Sequence, residues 1–211
     1  MNKDLYIGNV LSGAQFNEIF HNVQLFKLTN DTEYHNGFQF DDGLNIDTVK
    51  FTPKGSCEPG GIYFTEEKWI WKWICYRQQI MIYIRGVTIP NDAQVYIEEN
   101  KFKADKLILG PREKINRDVY LQSMNYKNGG HTILKHLPKY MKDKDMCMEF
   151  VKCNGYALQY VPEVIIDKEI CIAAIKQQPH AFRYVPSHIR DDDIMDYTKE
   201  ILYANYFQKN N

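Results

Sequence analysis

An α+β fold followed by a stack of short helical hairpins is the architecture this sequence predicts, and three observations carry it. Residues 25–110 break into short β-branched and aromatic runs separated by Asn, Asp, Gly and Pro, which is the punctuation of strands and turns. Apolar residues recur at helical spacing near Phe16 and again near Trp69. From residue 118 onward the chain repeats itself with a period of 24. The expected fold is a small, curved, mostly antiparallel sheet with a packed helix over residues 1–112, then a helical-repeat domain over 113–211.

Gly8 and Gly13 bracket a mildly amphipathic start, where Phe16, Ile19 and Phe20 predict a short helix. Leu25-Phe26-Lys27-Leu28-Thr29 alternates as a strand and ends at Asn30-Asp31. A loop with His35, Asn36 and Gly37 leads to Phe38-Gln39-Phe40, and residues 44–51 read as another extended segment. In Cys57-Glu58-Pro59-Gly60-Gly61-Ile62-Tyr63-Phe64 a turn feeds an apolar strand. The two glycines permit close approach of a ligand or of another strand.

Thr65, followed by Glu66 and Glu67, predicts an N-cap and a helix running to about Cys75. Trp69, Ile70, Trp73 and Ile74 share one stripe of it and read as core, which leaves Trp71 as the surface candidate for stacking a base. Residues 79–90 form a β-branched run of central-strand character. After the Asn91-Asp92 turn, residues 94–98 and 101–109 complete a hairpin before Gly110-Pro111.

Residues 143–166 and 167–190 align without a gap: Asp143-Lys-Asp-Met-Cys matches Asp167-Lys-Glu-Ile-Cys, and the Tyr160-Val-Pro triplet matches Tyr184-Val-Pro. A degenerate copy spans 118–142, and a capping copy spans 191–207. Asp143, Asp167 and Asp191 sit where helix N-caps belong, and Asn154-Gly155 reads as a left-handed stop between two helices of a hairpin. No single copy can bury its apolar face, so stacking must supply the core.

Composition excludes several classes. The 26 basic and 27 acidic residues leave a net charge of -1, so charge implies no nucleic-acid partner. With 211 residues the chain buries roughly 70% of its unfolded surface without disulfides or metal. No apolar run is long enough to span a bilayer, and Met1-Asn2-Lys3-Asp4 opens no signal-peptide core, so a cytosol-like compartment is expected. The five cysteines show neither a metal-ligand spacing nor a disulfide framework. Cys147 and Cys171 occupy equivalent repeat positions and read as buried packing, while Cys57 is the one candidate reactive thiol. His35 and Cys57 lack the spacing of a zinc site, no phosphate-gripping Gly-Lys-Ser/Thr loop is present, and Asp191-Asp192-Asp193 reads as a cap rather than a metal site.

The series Lys27-Leu-Thr29, His35-Asn-Gly-Phe-Gln-Phe40, Gly43-Leu-Asn45, residues 57–64, Val87-Thr-Ile-Pro90 and Lys101-Phe-Lys-Ala-Asp105 resembles an N-terminal domain of unknown function from giant DNA viruses of the mimivirus type. In that family it is often followed by ankyrin or other helical repeats. The period-24 units resemble a second repeat family of unknown function from the same viruses. The resemblance implies a viral interaction protein in the host cytoplasm, the viral factory or the particle. Its protein partner, of host or virus, would meet the repeat surface at Gln159, Glu163, His180, Arg183 and His188.

An alternative resemblance is enzymatic. The order Lys27-Leu28-Thr29, Gly43-Leu44, Gly60-Gly61-Ile62-Tyr63-Phe64 is similar to the motif order of ADP-ribosyltransferases. It implies an NAD cofactor held by Thr29, His35, Gly60, Gly61 and Tyr63, with Asp92 or Glu98 as the catalytic carboxylate. The histidine usual on that family's first strand is Lys27 here.

Overall fold

The computed structural model describes residues 3–35, 37–55, 57–77, 79–124 and 133–209. Backbone proximity divides the chain into two compact units, residues 1–119 and 120–211.

The first unit runs β1 (Val10–Ser12), α1 (Gly13–Ile19), β2 (Leu25–Thr29), β3 (Tyr34–His35), β4 (Phe38–Gln39), β5 (Gly43–Ile46), β6 (Ile62–Glu66), β7 (Cys75–Tyr76), β8 (Gln79–Ile80), β9 (Tyr83–Thr88), β10 (Gln94–Ile97), β11 (Phe102–Ala104) and β12 (Lys106–Lys114). Eight strands make one antiparallel sheet in the order β1-β10-β11-β6-β2-β9-β12-β5, while β3-β4 and β7-β8 are separate two-stranded hairpins. Ser12 caps α1 in a reciprocal box with Gln15, which sets the helix so that Phe16 enters the core. There the Phe16 ring stacks on Phe20 at 4.6 Å and meets Phe102 edge-on at 5.1 Å, with Val95, Ile97, Phe64 and Leu107 around them. Burial of this aromatic cluster is the main cohesive force of the unit.

The two halves of the sheet are joined by a short ladder. β2 pairs with β6 only at Leu25↔Glu66 and Phe26↔Thr65. Beyond that, β2 follows β9 down to Thr29↔Tyr83, and β6 follows β11 from Phe64↔Phe102 to Ala104↔Ile62. The strands therefore part between Lys27 and Phe64. On β9, Arg85 is 1% exposed and its guanidinium is fully occupied: it donates to the Gly110 carbonyl at 2.8 and 2.9 Å, to the Glu33 carboxylate at 3.1 and 3.2 Å, and to Asp42.

α2 (Arg117–Ser123) carries the chain across the boundary at residue 120, and the second unit goes on through α3 (Ile133–His136), α4 (Lys144–Cys153), α5 (Lys168–Gln177) and α6 (Asp192–Lys209). The same order follows both α4 and α5: a six-residue 3-10 turn (Gly155–Tyr160, Pro179–Tyr184) and then a three-residue one (Glu163–Ile165, Ser187–Ile189). Asp143, Asp167 and Asp191 each accept a hydrogen bond from the backbone N–H three residues on, at 2.8, 3.0 and 3.0 Å. Met146, Cys147, Phe150 and Val151 of α4 and Ile170, Cys171, Ala174 and Ile175 of α5 are buried. Burial, with Asp167 beside it, pushes the Cys171 thiol up to about 11. At Gly155 a Cβ would stand 2.3 Å from the Ala174 carbonyl oxygen, so a side chain there would hold α5 off the turn.

Several expectations are corrected. Thr65 caps no helix: β6 continues through Glu66, and Thr65 donates instead to the Asn100 carbonyl at 2.8 Å. Residues 67–72 form a 3-10 helix rather than an α-helix, and neither Trp69 nor Trp73 is buried in the core. Lys106–Lys114 runs straight through Gly110-Pro111, which sit in a register shift between Leu109 and Arg112. Asn154 is extended rather than left-handed and caps the following turn by accepting from Tyr156 N–H at 3.0 Å. The degenerate copy over 118–142 lies in part outside the described residues, which omit 125–132.

Arg85→Met leaves the largely buried Glu33 carboxylate without its main cation, so the first unit loses ~3–5 kcal/mol of stability. All three tryptophans lie within residues 69–73, so urea unfolding followed by tryptophan fluorescence reads this unit alone. A loss under about 1 kcal/mol in the same units would show that Arg85 is not the tie it is taken for here.

Candidate functional site

Where β2 and β6 part, the structure holds a cavity of about 70 Å³ lined by Phe26, Lys27, Leu28, His35, Cys57, Tyr63, Phe64, Thr65, Trp73, Tyr76, Met81 and Lys101. The two strands supply Lys27 and Tyr63, and the β3-β4 hairpin brings His35. The loop before β6 brings Cys57, the end of the 3-10 helix brings Trp73, and β7 brings Tyr76. The wall is aromatic and the polar groups are few, which is the usual chemistry of a small-molecule pocket.

Its charges can be placed. Lys101 stands over the rings of Tyr63 and Trp73 at 4.3 and 4.7 Å, lies 3.2 Å from the Cys57 sulfur, and pairs with Glu98 at 3.6 Å. Cys57 holds its sulfur there from a left-handed backbone, φ 63°. Glu98 keeps its other oxygen buried without a hydrogen bond. Lys27 is 6% exposed, its ammonium 4.7 Å from the Phe40 ring, and among the described residues no carboxylate or carbonyl takes it as a donor. Burial brings the Lys27 amine down to about 8, and burial first, then Lys27 and Arg77, brings the His35 imidazole down to about 4. His35 is thus neutral at pH 7, its ring edge-on to Tyr76 at 5.5 Å. Burial pushes both the Tyr63 and Tyr76 phenols up, so they remain hydrogen-bond donors.

Of the residues named from the sequence for a ligand or for catalysis, His35 and Tyr63 line this cavity, and Glu98 reaches it through Lys101. The others lie elsewhere. Thr29 is buried and donates to Glu33 at 3.1 Å. Gly60 and Gly61 approach this chain's own atoms: a Cβ on Gly60 would stand 2.3 Å from the Lys50 carbonyl oxygen, and one on Gly61 would stand 2.7 Å from Lys103 Cγ. Asp92 is exposed at the turn before β10, where Lys106 at 2.6 Å holds its carboxyl below the usual range. Lys101, Trp73 and Tyr76 were not anticipated as pocket residues. The available signal was Lys27, a charged residue at an interior register of an otherwise apolar strand.

All five residues named for a partner surface, Gln159, Glu163, His180, Arg183 and His188, are exposed. His180 and Arg183 line a groove of about 400 Å³ with Tyr156, Pro179, Phe182, Thr198 and Leu202. Gln159, Glu163 and His188 do not line it. The Arg183 guanidinium lies 5.3 Å from the Tyr156 ring and 4.9 Å from the Tyr184 ring, so its charge is presented on an aromatic bed.

A family described as a domain of unknown function (DUF4116) matches residues 116–166 and again 143–190. Among curated proteins, the chain is similar to three of Acanthamoeba polyphaga mimivirus. One is named as an ankyrin repeat protein, R868: 39% identical over 44% of this chain and 46% of its own length. The second is R869, named only as uncharacterized: 39% identical over 41% of this chain and 64% of its own. The third, R229, is again named for ankyrin repeats: 36% identical over 47% of this chain and 37% of its own. The chain therefore has giant-virus relatives, and it spans less than two thirds of the length of each. No solved structure matches it. No helix among the described residues is long and apolar enough to cross a membrane.

Lys27 gives the site a signature in pH. Its folded pKa, about 8, lies below the 10.5 it has when solvated, so between those values the unfolded chain carries a proton that the folded chain has released. Stability accordingly rises with pH across that window, by ~3 kcal/mol if Lys27 acts alone, and none of this gain is present below about pH 8. The groups facing Lys27 are Arg85 across the ladder, Cys57 and His35 from the loops, and Tyr63, Tyr76 and Lys101 around the cavity. Titration elsewhere cancels in a comparison with Lys27→Met when both are made in a Cys57→Ser background, since the Cys57 sulfur is coupled to Lys27. The urea stability of the parent should climb relative to the variant between about pH 8 and 10.5, and the variant should be the more stable at pH 7. Parallel pH curves would mean that the ammonium is not buried as described.

Proposed function

We propose that this protein acts by binding. In this reading the second unit is a helical-repeat array that offers a groove to a protein partner. The observation that carries it is the groove of about 400 Å³ formed by Tyr156 of one copy, Pro179, His180, Phe182 and Arg183 of the next, and Thr198 and Leu202 of the terminal helix. A surface built across successive copies is what repeat proteins use for recognition, because its lining varies without disturbing the core beneath. The ankyrin-repeat names of the mimivirus relatives point the same way. An aromatic floor carrying an exposed arginine suits a segment with an acidic side chain beside an apolar or aromatic one.

Selection of a displayed peptide library against the whole chain should enrich acidic-aromatic sequences. Binding of the enriched peptide should fall at least about tenfold in Arg183→Glu, with the thermal midpoint unchanged, because Arg183 is exposed. A selection without a shared acidic element, or equal binding by the variant, rules this groove out as the recognition surface.

A second reading, an ADP-ribosyltransferase-like NAD site or its inactive descendant, is favoured by one observation: the cavity at the parting of β2 and β6 has Tyr63 in its wall and Glu98 beside Lys101. Its charge argues for binding of something else. The nicotinamide ring of NAD is a cation, and here it would meet the unpaired Lys27 ammonium in a poorly solvated space, where like charges repel strongly. Incubation with NAD should give neither a thermal shift nor nicotinamide release. A shift or release that disappears in Tyr63→Ala would instead establish the transferase-like reading.

A further inference from the structure

Four cationic side chains of the first unit are buried: Lys27, Arg85, Lys101 and Lys103, at 6%, 1%, 5% and 0% exposure. Three have their charge answered within the fold. Arg85 holds Glu33, Asp42 and the Gly110 carbonyl. Lys103 donates to the carbonyls of Thr52 at 2.9 Å and Pro59 at 3.1 Å. Lys101 pairs with Glu98 at 3.6 Å. Among the described residues Lys27 has no oxygen partner and faces only the Cys57 sulfur, although it sits directly across the ladder from the fully satisfied Arg85. A buried ion without a partner is among the most unfavourable arrangements a fold can hold, and groups so perturbed cluster at functional sites.

The surroundings say which charge and what body. Among the residues lining the cavity, Lys101 is offset by Glu98 and His35 is neutral, so Lys27 leaves one net positive charge, to which Arg77, 5.2 Å from the Tyr76 ring, adds. The remaining wall is Tyr63, Trp73, Tyr76, Phe26, Phe64 and Met81, flat and apolar. One water needs roughly 10–15 Å³ of such space, so the volume suits a compact ligand of about one ring rather than a nucleotide.

We propose that the cavity at the parting of β2 and β6 binds a small organic anion of the aromatic carboxylate class, with the Lys27 ammonium as its counter-charge and Tyr63, Trp73 and Tyr76 as the walls for its ring. The carboxylate completes Lys27 as Glu33 completes Arg85. Ring stacking supplies the remaining affinity. The site is independent of the groove in the second unit, and either can fail without the other.

The test uses the full chain with benzoate as probe, benzamide as its neutral isostere and inorganic phosphate at matched ionic strength, read by thermal shift and calorimetric titration. Benzoate should raise the thermal midpoint and bind saturably, while benzamide and phosphate should not. Lys27→Met should fold, since it removes an unpaired charge, and should bind benzoate at least about tenfold more weakly. In the parent, benzoate affinity should fall as pH rises past about 8, where Lys27 loses its proton, which tests the site even if the variant misfolds. Binding seen only in Cys57→Ser would make the Cys57 sulfur the internal counter-charge of Lys27 and overturn the proposal. So would benzoate and benzamide behaving alike, undiminished benzoate binding in Lys27→Met, or the absence of any benzoate shift.

Discussion

The first unit depends on where a ladder ends. Only Leu25↔Glu66 and Phe26↔Thr65 join β2 to β6, so each strand is committed over most of its length to a different neighbour, β2 to β9 and β6 to β11. Twist accumulates in opposite halves of the sheet, and the residues just beyond the last rung are forced apart. A gap in a sheet cannot stay bare, because backbone and side chains there would lose both water and partners. The β3-β4 hairpin, the loop carrying Cys57, and the 67–82 segment close over it and leave the cavity between Lys27 and Tyr63. The place of that site, between Lys27 and Tyr63, follows from two rungs of pairing and no third.

The second unit solves a different problem, how to orient successive helices without long-range strand pairing. Asp143, Asp167 and Asp191 each fix a helix start locally, and the lysine that follows each of the first two reaches the acids at the start of the next capped helix. Lys144 meets Asp167 at 2.6 Å and Glu169 at 2.7 Å, and 24 residues on Lys168 meets Asp191 and Asp193, both at 2.8 Å. These pairs are solvated and contribute little stability by themselves. Their value is geometric, since Asp167 and Asp191 are already held by their caps and each lysine meets an acceptor fixed in place. The close seat of Gly155 under Ala174 belongs to the same arrangement, and in the next copy Pro179 occupies the equivalent position at the start of its turn.

What the sequence made legible is what is local. Asp143, Asp167 and Asp191 announce their caps because the donor lies three residues away, and Leu25–Thr29 announces a strand because alternation needs five residues to show. The failures are equally specific. Thr65 has every local mark of an N-cap, yet its neighbours are already claimed by pairing with β11 and β2, so the strand outcompetes the helix through Glu66. Gly60-Gly61 signals a close approach, but the sequence cannot say to what, and the answer is this chain's own residues 50, 52 and 103. Lys101 meets Cys57 across 44 positions, a contact set by the whole sheet, and no short window contains it.

The contrast between Lys27 and Arg85 connects the fold to the site. Both are strand residues at facing positions of one ladder, and both are nearly inaccessible to water. Around Arg85 the chain assembles two carboxylates and a carbonyl, a planar fork matched by acceptors on separate segments. Around Lys27 it places the Phe40 ring, 4.7 Å from the ammonium, and the Cys57 sulfur. Aromatic faces offer a cation part of what a carboxylate would, since the ring quadrupole attracts the charge, but they cannot accept its hydrogens or neutralise it. A fold that needed only packing at this position would be better served by leucine or methionine, which carry no desolvation cost. Keeping an amine there leaves a charge in the wall of a space that the chain does not fill, and the flat-bodied anion proposed above is the complement to that combination.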